Sequence, residues 1–115
     1  MSDSSLTSLL QESCSALDSK TPALNSSTAH QLGELVDGWQ VSTDSNSITK
    51  QFKFRNYYET IAFVNSVAGI AHQQDHHPTL NVSYNQCLIT YNTHSVNGLS
   101  RNDFICAARI NHLFE

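Results

Sequence analysis

Two stretches of this 115-residue chain carry side chains suited to proton chemistry: Asp75-His76-His77-Pro78, and Thr93-His94-Ser95-Val96, which is followed by Gly98-Leu99-Ser100 and Asp103. Histidine has an unperturbed pKa of about 6.5, so near neutrality it populates both its acid and its base form. Three imidazoles converging on one cleft can therefore donate a proton, accept one and hold a ligand at a single pH. A metal site is the alternative, because His72 stands four residues before His76 and His94 would complete a three-histidine set. Apart from Asp75, no further Cys or carboxylate is suitably spaced. The acid–base reading is preferred, and no metal is expected. Asp103 lies three residues after Ser100, the spacing of a capping box, and is read as a structural or supporting group. Trp39 is a candidate for the cleft wall, although a tryptophan opening a strand also suits a core. His30 and His112 belong to no motif in the sequence and are read as surface residues.

The elements that must position these groups are legible from periodicity. Residues 1 to 25 are rich in Ser, Thr and Leu and contain Pro22, so they form a poorly specified N-terminal appendage with at most a short helix around Leu6 to Leu17. From a cap at Ser27, Ala29, Leu32, Leu35 and Val36 recur at helical spacing until Gly38. Trp39 to Val41 and Ile48 to Phe54 predict two strands joined by a turn at Asp44, Ser45 and Asn46. Asn56 caps a longer helix with a predicted apolar stripe of Tyr57, Ile61, Val64, Ala68 and Ala71, ending near Gln74. Pro78 bars its continuation. Leu80, Val82 and Tyr84, then Cys87, Ile89 and Tyr91, alternate as two further strands around Asn85 and Gln86. Ser100 opens a last helix through Phe104, Ala107, Ala108 and Ile110. The order α-β-β-α-β-β-α predicts an α+β fold, a four-stranded antiparallel sheet with helices packed on one face.

Composition removes several classes of function. One domain is expected over residues 26 to 115, since 115 residues leave no material for a second core. Six Lys and Arg against ten Asp and Glu give a net charge of -4, so no broad basic face is available to neutralise phosphates, and direct nucleic-acid binding is not expected. Cys14, Cys87 and Cys106 are odd in number and lack metal or redox spacing, which points to a reducing compartment. The first ten residues have no basic segment followed by an apolar run, and no stretch reaches about 18 apolar residues, so neither a signal nor a membrane anchor is expected. A cytoplasmic location follows as an expectation.

Taken together, Asp75-His76-His77-Pro78, Tyr84-Asn85, Thr90, Thr93-His94 and Gly98-Leu99-Ser100 with Asp103 resemble the pterin-4a-carbinolamine dehydratase family, also called 4a-hydroxytetrahydrobiopterin dehydratases. Gly38-Trp39 and Phe52-Lys53-Phe54 match its upstream half, so the resemblance spans residues 26 to 115. It implies that His76, His77 and His94 are the functional histidines, with Pro78, Thr93, Ser95 and Val96 lining the substrate site; Asp75 and Trp39 are further candidates around the substrate. It further implies dehydration of a 4a-hydroxytetrahydropterin without a cofactor, recycling the tetrahydropterin used by phenylalanine hydroxylase, in a homodimer or homotetramer. A non-catalytic dimerisation cofactor for a partner protein is the alternative that the family allows. Two positions depart from its commonest pattern: His72 where Glu is frequent, and Leu80 where an aromatic is frequent.

Overall fold

Strict alternation organises the sheet. In β4 (Gln86–Tyr91), Cys87, Ile89 and Tyr91 are fully buried while Gln86, Leu88 and Thr90 are half-buried, so one face points to the core. Antiparallel pairing with β2 (Ile48–Lys53) sets Ile48 opposite Tyr91 and Phe52 opposite Cys87, which aligns the buried residues of the two strands. Lys50 falls on the same face, opposite Ile89. Its stem passes over the Phe52 ring, with Nζ 4.8 Å from the centroid, and the ammonium donates to the Asp37 carbonyl and to Asn111 Oδ1 at 2.8 and 2.9 Å. Apolar methylenes are buried while the charge keeps polar partners. With β1 (Gln40–Val41) and β3 (Thr79–Ser83) the sheet runs β1-β2-β4-β3, antiparallel throughout. This computed structural model describes residues 5–113. The first four residues of the predicted appendage and the last two of the predicted domain lie outside the described residues.

The helices cover the buried face of this α+β fold, as the element order predicts. In α2 (Ser26–Gly33) the cap is Asn25 rather than Ser27, its side chain accepting from the Thr28 N–H at 2.8 Å. Leu35 and Val36 continue as tight turns before Gly38, whose φ of 81° lies in the left-handed region. The long helix α3 (Tyr57–Gln74) starts at Asn56 and stops at Gln74 as expected, but its buried stripe is Thr60, Phe63, Val67, Ala71 and Gln74. Tyr57 is 52% exposed and Ala68 is exposed. The predicted stripe shares the helical period with the real one and lies to one side of it. An apolar count cannot separate them, because Thr60 and Gln74 are polar: the Thr60 hydroxyl donates to the Tyr84 carbonyl, and Gln74 Oε1 accepts from the Cys14 N–H.

The helix α4 (Arg101–His112) is buried along most of its length and touches both α3 and the short α1 (Leu6–Gln11). The N-terminal stretch is thereby docked. Leu9 is fully buried in the main core, Glu12 receives two Arg101 nitrogens at 2.7 Å each, and Ser15 and Asn102 exchange hydrogen bonds at 3.1 and 2.8 Å. A six-residue helix is marginal by itself, so tertiary contacts hold it, which explains its faint sequence signal. Leu9→Ala is therefore expected to cost about 2–5 kcal/mol, read as a lowered denaturant midpoint with an unchanged m-value.

Candidate active site

The end of α3 places two of the three histidines. Asp75 adopts the left-handed conformation (φ 51°, ψ 44°), which Asp tolerates better than most side chains. The His76 N–H then reaches back to the Ala71 carbonyl at 3.1 Å and the Asp75 N–H to that of His72 at 3.2 Å, closing the helix. The chain reverses at this cap, and His76, His77 and Pro78 lead directly into β3.

The third histidine comes from the far end of β4. After Tyr91 the chain makes an isolated bridge between Thr93 and Gly98, with Thr93 N–H to Gly98 carbonyl at 2.7 Å. Between them a single 3-10 turn, His94–Val96, presents His94 and Ser95 to solvent. Gly98 is required by close approach, since a Cβ there would sit 2.9 Å from the Ala23 Cβ. Because β3 and β4 are antiparallel neighbours, the start of one and the end of the other lie at the same sheet end.

Asp103 ties the two ends together from below. This fully buried carboxylate accepts the His76 Nε2–H on Oδ1 at 2.6 Å, and the Thr93 hydroxyl and Ser100 N–H on Oδ2 at 2.8 and 2.9 Å. Since the Thr93 hydroxyl proton is spent on Asp103, the Ser100 hydroxyl donates to Thr93 Oγ1 across 2.6 Å. The expected capping-box contact is present, and the same carboxylate also orients an imidazole. Burial acts against the charged form of His76, but the hydrogen bond and charge of Asp103, aided by Asp75, outweigh it and hold its pKa above the ordinary 6.5. Beneath the imidazole, Tyr91 stacks with ring centroids 5.1 Å apart, and its hydroxyl donates to the His76 carbonyl at 3.0 Å.

A raised histidine pKa has a definite sign in stability. The contribution is complete below the unfolded-state value and is lost as pH rises through the folded-state value. Melting temperature measured from about pH 6 to about pH 9 is thus expected to fall more steeply for the native chain than for His76→Gln. Equal slopes would mean that the His76–Asp103 bond carries no linkage.

Above this framework lies a cavity of about 360 Å³ lined by Asp75, His76, His77, Asn92, Thr93, His94 and Ser95. All three predicted histidines, Asp75, Thr93 and Ser95 are thus brought together. Pro78, Val96 and Trp39 do not line it: Pro78 follows the pair into β3, Val96 is 8% exposed, and Trp39 is in the core. There Trp39 packs on Phe52 and Tyr91 and donates Nε1–H to Asn111. Sequence reasoning does not find Asn92 as a cleft residue or Tyr91, a strand residue, as part of the site. Asn92 was detectable as the polar residue alternating between two inward positions at a strand end, whereas nothing in the sequence marks Tyr91 as the support of an imidazole. The alternative metal set of His72, His76 and His94 is not formed: among the described residues no group of three His, Cys, Asp or Glu side chains is arranged to hold a metal ion. A second pocket, about 390 Å³ between Phe54, Tyr58, Phe63 and Leu113, is mainly apolar, and its carboxylate Glu59 is engaged by Arg55.

Fold and site together define an α+β protein with an imidazole-lined cleft at one end of its sheet, one of whose histidines is bonded to a buried carboxylate. The sequence profile described as Pterin 4 alpha carbinolamine dehydratase matches residues 22–113. A Nitrosospira multiformis protein provisionally named pterin-4-alpha-carbinolamine dehydratase is 44% identical over 98% of both chains. Its Nitrosomonas eutropha counterpart is 46% identical over 91% of this chain and 92% of its own. Among solved structures, a Brucella melitensis protein described as a transcriptional coactivator/pterin dehydratase superposes with a TM-score of 0.75 at 32% identity, covering 79% of this chain and 97% of that one. The chain belongs to the pterin-4a-carbinolamine dehydratase family, enzymes of the hydro-lyase class. Among the described residues, no helix is long and apolar enough to cross a membrane.

Proposed function

We propose that this chain dehydrates a 4a-hydroxytetrahydropterin to quinonoid dihydropterin and water by histidine acid–base catalysis. The observation that carries the reading is the single cavity lined by His76, His77 and His94, with Asp103 gripping the first of them. Hydroxide is a poor leaving group, so the 4a oxygen must gain a proton as its carbon–oxygen bond breaks, while the adjacent ring nitrogen supplies electrons. The resulting cation then loses its ring-nitrogen proton to a base. His76 suits the acid step, because Asp103 favours its charged form and, with Nε2 engaged, Nδ1 is the ring nitrogen left for a ligand. His94, exposed on its turn, serves as the base, and His77, with Asp75, Thr93 and Ser95, holds the pterin.

In this reading the enzyme recycles the tetrahydropterin of phenylalanine hydroxylase in the cytoplasm, as a homo-oligomer. The exposed edge strand β3 supports sheet-to-sheet pairing, because among the described residues no strand pairs with its outer edge. The test is to add the purified chain to a phenylalanine hydroxylase reaction and follow the carbinolamine spectrum. Accelerated decay is expected. The coactivator description of the Brucella melitensis protein favours one rival, a binding module. Unchanged decay with folded protein, together with stabilisation of a partner oligomer, would establish that rival instead.

A further inference from the structure

Two thiols outside the histidine cleft lie against each other. Cys14 and Cys106 are separated by 92 residues in sequence, yet their sulfurs are 3.7 Å apart. Cys14 is partly accessible, whereas Cys106 is fully buried in α4. The approach is held in place by other bonds: the Cys14 N–H donates to Gln74 Oε1 at 2.8 Å, Cys14 Sγ lies 3.6 Å from the Asn102 carbonyl, and Ser15 is bonded twice to the Asn102 side chain. We propose that Cys14 and Cys106 form an oxidation site, a dithiol that reacts with peroxides or low-molecular-weight disulfides to close an intramolecular disulfide between the N-terminal segment and α4.

The two sulfurs have different parts in that reaction. The thiolate is the nucleophile. A hydrogen bond from the Cys106 thiol lowers the Cys14 pKa against the effect of burial, while that same contact and burial push Cys106 up. Cys14, which also has the access, attacks one oxygen of a peroxide. The O–O bond breaks, the departing hydroxide takes up a proton, and Cys14 becomes a sulfenic acid. Cys106 then attacks the Cys14 sulfur, the S–O bond breaks, and the hydroxide leaves with the Cys106 proton as water. Two thiols are oxidised by two electrons, and hydrogen peroxide is reduced to two waters, or an organic hydroperoxide to water and an alcohol. With a small disulfide as oxidant, two successive exchanges release two small thiols instead.

The bond would close a loop as long as most of the chain, a large restriction of the unfolded state. It would also fix the N-terminal segment to the helix bearing Asp103 and, through Gln74, to the end of the helix that leads into His76. In the experiment, the reduced full chain is freed of reductant, treated with hydrogen peroxide or oxidised glutathione, alkylated, digested and analysed by mass spectrometry. The expected product is a Cys14–Cys106 cross-linked peptide and an intact mass lower by two hydrogens, both reversed by dithiothreitol, with a melting temperature raised by about 5 °C or more. Cys87→Ser should leave the cross-link intact and Cys14→Ser should abolish it. Brief alkylation of the folded native chain should modify Cys14 before Cys106. The proposal is overturned by a cross-link through Cys87, by oxidation that stops on Cys14 as a sulfinic acid or mixed disulfide, or by an unchanged melting temperature in the cross-linked chain.

Discussion

A chain carrying both His76→Ala and His94→Ala is expected to dehydrate the carbinolamine no faster than solution alone. Each acid or base group is worth about 100- to 10,000-fold, so the pair accounts for roughly four orders of magnitude or more, limited below by the spontaneous reaction. The two single variants should differ in how they fail. His94 is exposed on its turn, so His94→Ala should lower kcat while leaving the melting temperature nearly unchanged. His76 is bonded to Asp103 and stacked on Tyr91, so His76→Ala should lower both. Stopped-flow decay of the carbinolamine absorbance, beside thermal melts, checks all three chains. Normal turnover in the double variant would remove histidine acid–base catalysis from this site.

Asp103→Asn is expected to slow turnover by about 100-fold or more while retaining the fold, because the change nearly preserves shape and removes the negative charge that orients and charges His76. Asp103 touches an imidazole and does not line the cavity, so in the proposed mechanism it is a positioning residue. The distinguishing measurement is the pH profile of kcat/KM. Without the carboxylate the His76 pKa falls, and the limb on which the acid form is lost should move to lower pH. A purely structural carboxylate would lower the amplitude and leave that limb in place. Asp103→Ala is a harsher change, since it leaves the His76, Thr93 and Ser100 donors without their buried acceptor. Breaking a buried pair in this way costs about 3–5 kcal/mol, measurable by urea denaturation.

Much of this architecture was legible in residue order. The alternation of Cys87, Ile89 and Tyr91, the caps at Asn56 and Ser100, and Pro78 after a helix each act over a few residues, where side-chain direction and backbone preference decide the outcome. The stripe of α3 was misplaced by a fraction of a turn, because its buried positions include Thr60 and Gln74, whose partners come from Tyr84 and Cys14. The docking of Leu9 was equally hidden: a short helix acquires its stability from the surface it covers.

The sequence by itself singled out His76, His77 and His94 as candidates for moving protons, with Asp103 as a supporting group, since they stand in a recognisable order with local signals that end a helix and a strand beside them. Only the tertiary structure decided that Asp103 bonds to His76 while capping α4, that Tyr91 lies under that ring, and that Trp39 belongs to the core. Those choices join residues far apart in the chain. Their free energies depend on burial and distance in three dimensions, which local periodicity does not encode.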